Sequence, residues 1–141
     1  MTITLDSSVI VAALRQQEEK HEQCRTLLEA VEEAQIIAIQ PDIVLSEVTR
    51  AIKRRTSSDR LAERVKQLLQ SIDTMNFVET DARRKEMASD IAARIGMGIM
   101  HAAVIQIAFE FGTTLISLDA ELMREAKSIV KTKTVDEFLT A

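Results

Sequence analysis

Five short apolar runs alternate with stretches whose apolar positions recur every three or four residues, and this alternation restricts the fold more than any other feature. The runs are ITL at 3–5, IIAI at 36–39, MNFV at 75–78, TTLIS at 113–117 and TKTV at 132–135. Continuous apolar runs of this length suit strands covered on both faces. Helical spacing follows in VIVAALRQ and in HEQCRTLLEAVEEA, where Cys24, Leu27, Leu28 and Val31 share one face. Strands alternating with helices predict a three-layer α/β/α fold around a parallel four- or five-stranded sheet. Pro41 suits the first turn of the next helix, with Asp42 beside it at the positive end of the helix dipole. Ser57 and Ser58 interrupt that pattern, so 41–73 reads as two antiparallel helices forming a projecting hairpin. Thr80 or Asp81 caps a further helix to about Arg94, and Gly112 ends the helix at 98–111.

The length of 141 residues, with 46% apolar and 28% charged residues, fits a single domain over 1–141. No apolar run approaches the roughly 18–20 residues that span a bilayer, and MTITLDSS lacks the basic-then-apolar design of a signal peptide. The expectation is a cytoplasmic protein with no membrane partner. Cys24 is the only cysteine and cannot form an internal disulfide. With His21 it makes an H-x-x-C pair, but two ligands do not make a metal site, and a buried thiol is the simpler reading. A net charge of −4 provides no global attraction to nucleic acid, so any such contact must be local.

Open α/β sheets place their sites beyond the carboxyl ends of the strands. Asp6 ends the first run and Asp119 follows the fourth. Either could simply cap the helix after it. Glu47 is less easily dismissed, because it shares a helix stripe with Val44, Val48 and Ala51, and a carboxylate on an inward face must be paired, protonated or metal-bound.

Three segments carry a family resemblance. LDSSVIVAAL around Asp6, LSEVTRA around Glu47 and TTLISLDAEL around Asp119 resemble, in order and spacing, the motifs of the PIN-domain family, in particular the small VapC-type toxins and their stand-alone relatives. The resemblance covers nearly the whole chain. It implies a parallel sheet between helices and a metal-dependent endoribonuclease whose acids gather around Mg²⁺ or Mn²⁺. It also implies RNA as substrate, and a cognate antitoxin if the chain is the toxin of such a pair. On it, Asp6, Glu47 and Asp119 are the metal ligands and catalytic acids, with Ser8 and Ser117 in support. Clustered carboxylates repel one another, and a hard cation resolves that conflict while polarising a phosphate and activating water.

The family usually has another acid on the helix before the last motif strand. GIMHAAVIQIA resembles that helix with His101 in the acid's place, eighteen residues before Asp119. A competing alignment places Gly98 there. With His101 in the pocket, one negative charge is lost and a softer imidazole ligand is gained, which favours Mn²⁺ over Mg²⁺. As a bystander, His101 would be an ordinary polar residue of the helix start.

The stretch 50–66 carries seven Lys or Arg against two acids. It reads either as a solvated helical face or as an RNA-facing patch, in which Arg50, Lys53 and Arg54 flank the acids and hold phosphates. With four Phe and no Trp or Tyr, the chain has little to offer for aromatic stacking. A catalytically weakened PIN-fold module that binds RNA or a partner protein is the alternative function. A receiver-like signalling domain fits less well, because the first strand lacks an acidic pair. The apolar content of the outer helices suggests a homodimer through the hairpin at 41–73, by itself or with the helix at 81–94.

Overall fold

The computed structural model describes residues 1–140. The chain runs β1 (Thr2–Leu5), α1 (Ser7–Leu14), α2 (His21–Glu32), β2 (Ile37–Pro41), α3 (Asp42–Thr56), α4 (Asp59–Ser71) and β3 (Met75–Val78). It continues through α5 (Ala82–Ile95), α6 (Ile99–Phe111), β4 (Thr114–Ile116), α7 (Ala120–Ala126), β5 (Thr132–Lys133) and α8 (Val135–Thr140). The five strands form one parallel sheet in the order β3-β2-β1-β4-β5. Right-handed crossovers place the helices between β1 and β3 on one face and those that return to β4 and β5 on the other. This is the expected three-layer α/β/α arrangement.

The sheet is held by the apolar runs that announced it. Ile3, Leu5, Leu115 and Ile116 are fully buried, with Ile10, Leu27, Ile52 and Leu69 against them from the helices. Burying each such side chain contributes about 1.5–3 kcal/mol. In α6, residues 102–108 are all buried, as expected of a helix that is apolar on every side. It packs on β1, β2, β4, α3 and α5, which makes it a rigid carrier for the residues of its first turn.

Helix ends explain most boundaries. Ser58 accepts a hydrogen bond from the Leu61 amide at the start of α4, which separates the two helices of the hairpin. Asp81 caps α5 through the Arg84 amide. Gly112 takes the left-handed conformation (φ 64°) that ends α6. Pro41 departs from expectation. It is the last residue of β2 and the N-cap of α3, at φ −70° and ψ 152°, so its ring ends a strand instead of opening a helical turn. The fifth strand is also shorter than TKTV at 132–135, because Val135 already belongs to α8. Among the described residues, no single helix is long and apolar enough to cross a membrane.

Candidate active site at the carboxyl edge of the sheet

Asp6 directly follows β1, the central strand, and its amide donates to the Ile116 carbonyl of β4 (3.1 Å). It occupies the N-cap position of α1, yet its side chain makes no capping bond. Instead its Oδ2 accepts from the Ser8 hydroxyl at 2.7 Å and the Ser117 hydroxyl at 2.8 Å. Each serine oxygen in turn accepts a backbone amide, Leu118 on Ser8 at 3.1 Å and Asp119 on Ser117 at 2.9 Å. A hydroxyl has one proton, so both serines spend theirs on Asp6. Asp6 as a whole is 6% exposed. No Lys, Arg or His among the described residues pairs with it. A buried carboxylate with hydroxyl donors and no counter-charge is costly for a purely structural purpose.

Asp119 divides its oxygens. Oδ1 accepts from the Leu122 amide at 3.1 Å and caps α7, while Oδ2 lies 3.4 Å from His101 Nε2. His101 reaches it from the first turn of α6, whose N-cap is Gly98. Positions 101 and 119, eighteen residues apart in the sequence, are thus in contact in space. Asp6, Ser8, Ser117, Asp119 and His101 form one connected polar chain along the carboxyl edge.

Glu47 stands apart from that chain. Its side chain is 26% exposed and pairs with Arg50 at 3.2 Å. It lines a cleft of about 830 Å³ together with Ser7, Ser8, Arg50, Arg54, Arg55 and Leu118. Among the described residues, no three His, Cys, Asp or Glu side chains stand close enough to hold one ion. The expected convergence of Asp6, Glu47 and Asp119 is corrected to this extent. Each acid has taken a different partner, serine hydroxyls, an arginine and a helix amide with a histidine, which keeps like charges apart.

The basic residues are also redistributed. Arg50 and Arg54 line the cleft, but Lys53 does not; it pairs with Asp59 at 2.7 Å in the groove between α3 and α4. Arg55 takes its place, held by Glu18 at 3.3 Å. Helical geometry carries the signal: at 3.6 residues per turn Arg54 and Arg55 fall within about 80° of the bearing of Glu47, whereas Lys53 lies about 120° away. Leu118, Gln17, Glu18 and Glu19, none of them expected, complete much of the lining.

The H-x-x-C pair is structural. His21 Nδ1 donates to the Ala12 carbonyl at 2.7 Å, and burial pushes the Cys24 thiol up to about 11, far from the thiolate a metal would need.

Fold and site together define a parallel α/β protein with acids at the carboxyl ends of its central strands and an arginine-lined cleft beside them. The chain belongs to the PIN domain family, whose model matches residues 3–128. VapC20 of Mycobacterium tuberculosis, a sarcin-ricin loop cleaving toxin, shares the fold with a TM-score of 0.75 at 17% identity, over 92% of this chain and 97% of its own. VapBC2 of Rickettsia felis, bound to a DNA fragment from its promoter, gives a TM-score of 0.69 at 13% identity, over 95% and 98%. FitAcB of Neisseria gonorrhoeae gives 0.67 at 15% identity, over 96% and 98%. At these identities the likeness is one of fold. No curated protein matches the sequence significantly.

Proposed function

We propose that this chain is a metal-dependent endoribonuclease that hydrolyses RNA phosphodiester bonds in the cytoplasm, as the toxin of a toxin-antitoxin pair. The observation that carries the reading is Asp6, buried at the end of the central strand, held by two hydroxyls and lacking any basic partner. The donor chemistry fits a hard divalent ion such as Mg²⁺ or Mn²⁺: three carboxylates, from Asp6, Glu47 and Asp119, and one imidazole, from His101. When bound, such an ion supplies Lewis acidity toward a phosphate and lowers the pKa of water. Ser8 and Ser117 fix the orientation of Asp6, and Ser117 also fixes the backbone of Asp119. Arg50, Arg54 and Arg55 are suited to holding phosphates on either side of the cleaved one. Arg50 engages only Oε1 of Glu47, which leaves Oε2 to serve as a ligand.

The fold shared with VapC20, VapBC2 and FitAcB supports the toxin assignment and a small antitoxin protein as partner. The deciding experiment is cleavage of a mixed RNA with Mg²⁺, Mn²⁺ or EDTA. The reading requires turnover that depends on metal and is lost in Asp6→Asn. Metal-independent turnover, or none with either ion, overturns it. In the latter case the PIN-fold binding module stands, a reading favoured by the separate engagement of Glu47 and Asp119 and by the histidine at 101.

A further inference from the structure

Leu118 is an exposed leucine between two site residues. Its neighbour Ser117 is buried, and its own amide is fixed by Ser8, yet its side chain remains 37% exposed. It lines two hollows at once. One is the arginine-lined cleft; the other, of about 480 Å³, is lined also by Ser117, Ala120, Met123, Thr134 and Val135. Glu19 is shared as well, so the two hollows adjoin at Glu19 and Leu118. The second volume lies within the roughly 300–1,000 Å³ range of small-ligand pockets.

The two hollows differ in chemistry. The first presents three guanidinium groups and three carboxylates, of Glu18, Glu19 and Glu47, with Arg50 paired to Glu47 and Arg55 to Glu18. The second has apolar walls, with the half-exposed Lys20–Asp136 pair at its rim, 2.8 Å apart. An ammonium has three donors and a carboxylate several lone pairs, so each retains hydrogen-bonding capacity beyond that contact. A single-stranded polynucleotide shows the same alternation, an anionic backbone joined to a flat base with apolar faces and a polar edge. No aromatic side chain lines this hollow, so a base seated here lies against aliphatic side chains and Met123.

We propose that the second hollow is a base subsite, which takes one unpaired nucleobase against Leu118 and Met123 while the RNA backbone follows Arg50, Arg54 and Arg55. This rests on the ribonuclease reading above. Leu118 is then a specificity-determining residue, and the Lys20–Asp136 pair reads the base edge.

The test uses Asp6→Asn protein to bind without cutting. Its affinity is measured for a short single-stranded RNA and for a series in which one abasic residue is moved along that RNA. One abasic position is expected to weaken binding about tenfold, within the range attributed to one stacked base. Leu118→Ala with Met123→Ala should erase that penalty and leave affinity for the abasic RNA unchanged. Both side chains are partly exposed, and circular dichroism checks the fold. A penalty of the same size in the double variant, or no penalty at any position, overturns the subsite. If the parent cleaves no RNA with either metal and the Asp6→Asn protein binds none, the ribonuclease reading itself has failed, and the subsite with it.

Discussion

The residue on which the site turns is Asp6, and its environment separates function from stability. Asparagine keeps an oxygen that can accept from Ser8 and Ser117 while removing a buried negative charge without a counter-ion. Asp6→Asn is therefore expected to melt at or above the parent temperature and to lose at least about a hundredfold in RNA cleavage, the upper end of what outer-shell partners of a metal alone cost. A variant that melts well below the parent would make Asp6 a structural residue. His101 yields a second test. It lies 3.4 Å from Asp119, so His101→Asp sets two carboxylates side by side. That variant should melt below the parent in EDTA and gain more from Mg²⁺, with about tenfold tighter binding, equivalent to about 1.4 kcal/mol. Equal Mg²⁺-dependent shifts in both proteins would remove His101 from the ligand set. The placement of Asp6 and Asp119 was legible because strand ends fix it, and the two serines expected beside Asp6 do bond to it. Lys53 and the direction of Glu47 were not, because a charge run gives composition while side-chain direction depends on helical bearing and on which partner wins.

Elements were legible where the period of the sequence is strong. β3 falls on MNFV as read, and the hairpin breaks at Ser57–Ser58 because Ser58 can cap α4. α8 was missed, although TVDE contains a capping box: the Thr134 amide donates to Glu137 Oε1 at 2.9 Å, and the Glu137 amide donates to Thr134 Oγ1 at 3.0 Å. Pairing between elements was not legible at all. Arg84 of α5 forks onto Glu110 of α6, with Nη2 to Oε2 at 2.8 Å and Nε to Oε1 at 3.1 Å, and Gln106 adds a bond at 2.8 Å. The hydrogen bond from Arg84 holds the Glu110 carboxyl below its ordinary 4.5. A lowered folded-state pKa contributes stability that is full above the unfolded value and is lost as pH falls through the folded one. Glu110→Gln should therefore lower the melting temperature at pH 7, and its deficit against the parent should shrink below about pH 4. A deficit constant from pH 7 to pH 3 would assign the effect to packing instead.

At the scale of the whole molecule, the question is which surface remains uncovered. The hairpin presents Leu61 and Leu68 on α4, 41% and 44% exposed and seven residues apart on one face. α5 has no large exposed apolar side chain, whereas the end of α6 has Phe109 at 59% and Phe111 at 41%. The hairpin is thus the better candidate for self-association, with α6 rather than the 81–94 helix as the next apolar surface. A two-fold contact would bring four leucines together. Covering each contributes at most about 1.5–3 kcal/mol, against an association cost of roughly 4–15 kcal/mol. The balance favours a weak dimer that forms in the micromolar range or above, not a permanent one. Light scattering across about 1–100 µM should show the mass rising from the 15.8 kDa of the chain toward twice that value. Leu61→Glu with Leu68→Glu should hold it at 15.8 kDa with an unchanged circular dichroism spectrum. A parent that stays monomeric throughout the range would remove the homodimer, and a double variant that still dimerises would move the contact to Phe109 and Phe111.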